Sequence, residues 1–243
     1  MFLDSCIISL NDKQLKKRSI RSFVKRDSRL TKSQQQALDN YWDKHGINFS
    51  SDLINFETLF NRHAPVIMDI GVGTGDTTFF HAQNHPENNY LAIEVHKPGI
   101  GRLLNSIESK HLNNIKIINH DVIDVLTEQI PNHSLSQVFI FFPDPWPKKR
   151  HHKRRLINNK LIELLKKRIA QNGRLHIATD WENYADQIQA LCDGDQELLN
   201  LNSNDHSSPR PNWRIKTRYE TRGIRLEHQV WDFCYALNNS VKN

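Results

Sequence analysis

Between residues 66 and 192 short apolar runs alternate with longer segments of helical period, and few folds accommodate that order. Residues 66–70, 90–95, 115–118, 135–142 and 173–178 read as buried strands. Residues 76–85, 98–110, 123–128, 156–170 and 182–192 read as helices, with Leu or Ile at 156, 157, 161, 162, 164, 165 and 169. The order predicts an α/β fold, a doubly wound and mostly parallel sheet. Around it, residues 31–45 read as a helix capped by Ser33, 193–212 as a loop, and 213–217 and 229–236 as edge strands. Residues 1–30 lack periodicity and read as a basic, mobile arm before a single domain at 31–243.

In such a sheet a ligand sits beyond the carboxyl ends of the strands. Each of the five strands delivers a carboxylate there. Asp69 ends the first and is followed by Gly71, Gly73 and Gly75, while Glu94, Asp121, Asp144 and Asp180 follow the others. The glycines let backbone approach a ligand closely, and an acid after the second strand suits ribose hydroxyls. A nicotinamide nucleotide and S-adenosylmethionine both want these features. The dinucleotide fingerprint, however, needs a glycine where Asp76 stands, and a pyrophosphate would be repelled by Asp69 and Asp76. The sulfonium and ammonium groups of S-adenosylmethionine would be attracted, so the methyl donor is the expected cofactor, with Asp121 placed to meet its adenine.

The fourth strand runs into Phe141-Phe142-Pro143-Asp144-Pro145-Trp146-Pro147-Lys148-Lys149-Arg150-His151-His152-Lys153-Arg154-Arg155. Each proline biases its predecessor towards extended geometry, so Phe142, Asp144 and Trp146 are expected on a stiff, pre-set backbone. Charge is segregated. Residues 13–32, 148–155 and 209–225 hold 21 of the 33 Lys and Arg and 2 of the 27 acids, which leaves an acidic body carrying three basic segments. That distribution fits a polyanion gripped on one face. A guanine fits the acidic rim beside it, since carboxylates such as Asp144, Asp180 or Glu220 match its N1 and N2 donors and leave N7 free. No run of 18 apolar residues is present, Met1 to Leu10 makes a poor signal peptide, and Cys6, Cys192 and Cys234 have no paired spacing. A cytoplasmic protein without disulfides or structural metal is expected, and His151 and His152 have no third ligand nearby. Monomer and homodimer both remain open.

With these motifs in hand, the chain resembles the bacterial tRNA (guanine-N7)-methyltransferase family, which has the Rossmann-like class I methyltransferase fold. The match runs from Arg21-Ser22-Phe23 through the glycine motif, Ile93 to His96, Asp121, Phe142 to Arg155 and Thr179-Asp180 to Thr217–Gly223. The glycine motif is common to many methyltransferases; the Phe142–Arg155 run is highly specific. The resemblance implies methylation of N7 of a guanosine in the tRNA variable loop. It assigns the donor to Asp69, Glu94, Asp121 and Asp144, with Asp144 also catalytic. It assigns the substrate to Lys148, Asp180, Thr217, Arg218, Tyr219 and Glu220, and RNA to Arg150, His151, His152, Lys153, Arg154 and Arg155. The chain departs from the family pattern where Asp69 replaces a commoner Glu, Val72-Gly73-Thr74-Gly75 a Phe-Gly-Met-Gly-like loop, and Glu227 a usual Gly. An RNA-binding module that keeps the fold without activity, and a methyltransferase of another RNA, are the competing readings.

Overall fold

The computed structural model describes residues 21–23, 29–202, 210–225 and 227–238; residues 1–20 and 24–28 of the expected arm, and the side chains of Arg218 and Tyr219, lie outside it. The strands are β1 (Gly46–Ile47), β2 (Val66–Ile70), β3 (Asn89–Ile93), β4 (Ile115–Ile118), β5 (Leu135–Phe141), β6 (Ile169–Thr179), β7 (Leu198–Asn200) and β8 (Trp231–Leu237). They form one sheet in the order β1-β4-β3-β2-β5-β6-β8-β7. All pairings from β1 to β6 are parallel, and β8 runs antiparallel to both β6 and β7. The expected doubly wound, mostly parallel sheet is what forms.

The neighbouring interior strands β2 and β3 are buried at every position, as expected of strands covered on both faces in a parallel sheet. Helices α5 (Val122–Glu128), α6 (Asn159–Arg168) and α7 (Glu182–Asp193) cover one face, over Val66, Met68 and Ile70 of β2. Helices α1 (Lys32–His45), α3 (Asp76–Asn84) and α4 (Lys97–Ser109) cover the other, over Ile67. A short α2 (Phe56–Phe60) precedes β2, and α8 (Arg218–Arg225) precedes β8. The chain passes from β3 and β4 on one side of β2 to β5 on the other, so the topological switch lies between the ends of β2 and β5. Registry pairs Ile70 with Ile93 and Ile93 with Ile118, so three strands end level at that crevice.

Several local expectations are corrected. Thr31, not Ser33, caps α1: its hydroxyl accepts from Gln34 N–H while the Gln34 amide accepts from Thr31 N–H, a reciprocal box. The helix expected at 156–170 begins only at Asn159, capped by Asn158, and β6 takes over from Ile169. β1, α2 and β7 are too short to carry a period and were not anticipated. The expected strand at 213–217 does not form. A strand would alternate faces, but consecutive Trp213 and Arg214 both turn inwards. Trp213 packs on Phe139 and His176, at centroid distances of 5.4 and 4.7 Å, and Arg214 is fully buried.

Candidate functional site

A cavity of about 410 Å³ opens at the switch point. Gly71 and Gly73 lie along it, together with Glu94 and Asp121 from beyond β3 and β4 and Asp144 from beyond β5. It is walled by Ile70, Val95, Phe141 and Leu156, and among the described residues no Lys or Arg lines it. Three of the five strand-end carboxylates therefore meet in one place.

The glycines have φ of +75°, +56° and +78° at residues 71, 73 and 75, a region that side chains rarely enter. Gly75 caps α3 and does not line the cavity; a Cβ there would strike Leu103 at 2.7 Å. Glu94 binds this loop to the end of β3. One carboxylate oxygen accepts from Gly73 N–H (2.8 Å) and the other from the N–H groups of Val95 (2.7 Å) and His96 (2.8 Å). Asp121 caps α5, accepting from Ile123 N–H at 3.0 Å. Asp144 is exposed at the mouth and takes part in no hydrogen bond or ion pair among the described residues.

Asp69 stands apart from this group. Strand alternation sends its side chain to the α3 face with Ile67, where its carboxylate accepts from the Thr78 hydroxyl at 2.6 Å. It does not line the cavity in this structure. Burial, against the Thr78 bond and helped by the charge of Glu94, pushes its pKa up to about 7.

Beyond Asp144 the chain takes a shape that proline bias alone does not foresee. Phe142 and Trp146, each before a proline, sit at φ +53° and +46° instead of extended geometry. Such conformations cost about 1–2 kcal/mol per residue and must be held from outside. Phe142 N–H donates to Ala178 O at 2.8 Å. The indole N–H of Trp146 donates to Ser22 O at 3.0 Å, bringing Ser22 and Phe23 to the cavity wall.

The basic block forms a 3-10 helix, Lys149–Arg154. Lys148, Arg150 and Lys153 are exposed, His151 and His152 half-buried, and the Arg154 guanidinium covers the Trp146 ring at 5.0 Å. Partial desolvation, then the surrounding Arg150, Arg154, Lys148 and Lys153, holds His151 below its usual pKa. Arg155 corrects the expectation of an RNA contact: it is 2% exposed and bonded wholly within the protein.

On the other side of β5 and β6 lie Asp180 and α8. Asp180 does not cap α7, whose first turn has no side-chain cap. Instead it faces Gly223, where a Cβ would come within 2.8 Å of its carboxylate, and His228, 3.6 Å away. Thr217 starts α8 by accepting from Glu220 N–H at 3.1 Å. Glu220 is corrected as a direct substrate contact, because its carboxylate is 3% exposed and pairs with Arg214 at 2.7 Å. Arg214 also donates to Asp232 of β8 at 2.6 and 2.9 Å, and its guanidinium lies over Phe141 and Phe142 at 5.7 and 5.4 Å. Sequence reading missed Arg214, His228 and Asp232. Nothing in their spacing marks them, since β6–β8 pairing is what brings them together. Among the described residues no group of three His, Cys, Asp or Glu is arranged to hold a metal ion.

A methyltransferase family model, Methyltransf_4, described as "Putative methyltransferase", matches residues 63–233. The tRNA (guanine-N(7)-)-methyltransferase of Nitrosospira multiformis is 47% identical over 218 residues, covering 90% of this chain and 94% of that protein. The protein of the same name from Psychromonas ingrahamii is 44% identical over 218 residues, 90% of this chain and 89% of its own. Among solved structures, the aminoglycoside resistance methyltransferase NpmB1 superposes with a TM-score of 0.50 at 15% identity, over 75% of this chain and 92% of that one. The 16S rRNA methyltransferase KamB does so at 0.50 and 12%, with the same coverages. Those two likenesses establish the class I methyltransferase fold, and the sequence relatives establish the narrower group: this chain belongs to the tRNA (guanine-N7)-methyltransferase family.

Proposed function

We propose that this enzyme transfers a methyl group from S-adenosylmethionine to N7 of a guanosine in the tRNA variable loop, in the cytoplasm. The observation that carries the reading is the composition of the cavity: three carboxylates, no Lys or Arg among the described residues, apolar walls, and a basic loop beginning four residues beyond Asp144. A pocket of this charge suits a cationic ligand, and its size lies within the usual range for small-molecule sites. Glu94 is placed for ribose hydroxyls, Asp121 for adenine, and the glycine loop for close backbone approach. When bound, S-adenosylmethionine supplies an electrophilic methyl group on sulfur.

Guanine N7 carries a lone pair and no proton, so no residue need act as a general base. The base must instead be aligned, and positioning supplies about 7–11 kcal/mol in favourable cases. Asp144 stands where the purine ring gains positive charge on methylation. A carboxylate about 4 Å away contributes roughly 1 kcal/mol in water and 4 kcal/mol at an effective dielectric of 20. Alignment therefore outweighs charge stabilisation, and Asp144 serves chiefly by holding the base. Asp180, Thr217, Arg218 and Tyr219 are the residues that would contact the acceptor base. Lys148, Arg150, Lys153 and Arg154, with His151 and His152 between them, face the RNA backbone, and the basic segment at 13–32 extends that grip.

The test pairs calorimetry with kinetics. S-adenosylmethionine binds the native protein, and Asp144→Ala abolishes methyl transfer to tRNA while its tRNA affinity stays within about twofold of native, as expected for a residue used only with the base in place. Absence of donor binding overturns the enzyme reading, and equal loss of transfer and tRNA affinity overturns the role of Asp144.

A further inference from the structure

Arg155 closes the basic block, yet its guanidinium faces inwards. A guanidinium has five N–H donors, and here four have oxygen acceptors while the fifth meets an imidazole nitrogen. Nε donates to Pro145 O at 2.9 Å. Nη1 donates to Asn183 O at 3.2 Å and to Gln187 Oε1 at 2.7 Å. Nη2 donates to Asn183 Oδ1 at 3.0 Å and meets His152 Nε2 at 3.2 Å. The plane lies over the Tyr184 ring at 4.7 Å, and Tyr184 returns its own hydroxyl oxygen to Ile157 N–H at 2.9 Å. No carboxylate pairs with Arg155 among the described residues. With four donors taken by protein oxygens and the side chain 2% exposed, no fork is left for a phosphate.

The acceptors explain the placement. Asn183, Tyr184 and Gln187 belong to α7, a rigid helix packed on the core. Pro145 belongs to the loop that carries Asp144 between the two left-handed residues Phe142 and Trp146. That loop has three prolines and few N–H groups of its own, so it holds its strained path through carbonyls and side chains. Pro145 O is the carbonyl next to Asp144. From these contacts we infer that Arg155 is a positioning residue for Asp144, a clamp that fixes the Asp144 loop to α7, and is not part of the RNA grip. The exposed Lys148, Arg150 and Lys153, with Arg154 on Trp146, remain the phosphate-facing set. Lys cannot replace Arg155, because a single ammonium does not span Pro145, Asn183 and Gln187 at once.

The inference rests on the methyl-transfer reading above. The experiment compares native protein with Arg155→Gln, Gln187→Ala and Arg154→Ala. Single-turnover methyl transfer is measured at saturating S-adenosylmethionine and tRNA, per donor-binding site counted by calorimetry, so that loss of folded protein does not register as a slower rate. The dependence of tRNA affinity on salt is measured in parallel. Arg155→Gln, which removes the charge, is expected to slow transfer by about 100-fold, the scale of a 1 Å misplacement, with an unchanged salt slope. Gln187→Ala, whose side chain meets no RNA in this arrangement, is expected to slow transfer in the same sense. Arg154→Ala is expected to flatten the slope by about one. A slope flattened by about one in Arg155→Gln, or an unchanged transfer rate, overturns the clamp; if that variant does not fold, an unchanged transfer rate in Gln187→Ala overturns it. Absence of transfer by the native protein would fail the functional reading instead, and leaves the salt slopes to judge Arg155.

Discussion

Asp69→Asn isolates the one strand-end carboxyl that the fold has turned away from the cavity. The acid is 3% exposed, and burial carries its pKa from the ordinary 3.8 to about 7. A carboxyl whose folded pKa exceeds its unfolded one contributes stability that is complete below pH 3.8 and is lost as pH rises through 7. At about 1.4 kcal/mol per pH unit the whole effect is roughly 4 kcal/mol, of which about 2–3 kcal/mol falls between pH 5 and 8. Asparagine keeps an oxygen for the Thr78 hydroxyl and does not titrate. The assay is urea unfolding of both proteins across pH 5–8 at constant ionic strength. His81 and His176, whose pKa values burial lowers to about 4, impose an opposite slope of their own. That slope is common to both proteins, so it cancels in the difference. The variant should gain on the native protein by about 2–3 kcal/mol as pH rises, levelling off near pH 8. A difference flat to within about 0.5 kcal/mol would refute the argument, showing that Asp69 ionises as in water.

Two other perturbations test the frame around the site. Arg214→Met leaves Asp232 buried without its cation and Glu220 with only the partly exposed Arg210 at 3.6 Å, and should destabilise by about 3–5 kcal/mol in urea unfolding, part of it recovered by adding Asp232→Asn; a loss under about 1 kcal/mol would mean the network is screened. Glu227 sits at φ +59°, so Glu227→Gly should raise stability by up to about 1 kcal/mol in the same assay, the relieved strain less the added freedom of the unfolded chain. A clear loss would show that a contact of Glu227 outweighs the strain.

The alternation of apolar runs and helical periods made the sheet legible, because two-sided burial in parallel strands leaves so plain a pattern. From it followed the rim on which Glu94, Asp121 and Asp144 converge. What sequence could not show was the direction of each charge. Asp69 and Ile70 are neighbours, yet pleating sends one behind α3 and the other into the cavity wall. Arg155 and Glu220 sit in charged stretches that read as solvated or RNA-facing, but each is consumed by partners 28 residues away at Asn183 and six away at Arg214. The Arg214–Asp232 pair joins residues 18 apart, one in the loop before α8 and the other in β8, a contact that no local period announces. The proline bias at Phe142 and Trp146 was overridden because carbonyl and ring contacts from β6, α7 and Ser22 hold the loop in another region of backbone space.

The bond between the Trp146 indole and Ser22 also has a timetable. Its two ends are 124 residues apart in the chain. On a ribosome adding about 5–20 residues per second, Ser22 exists for roughly 6–25 seconds before its partner is made. Through that interval the nascent chain presents the basic residues around Arg21 with no Trp146 to anchor Ser22, beside a ribosome that is itself largely RNA. The acidic body between the two, which repels a polyanion, emerges in the meantime. The order of synthesis thus places the charge that would draw the nascent chain off RNA ahead of the contact that finishes the site.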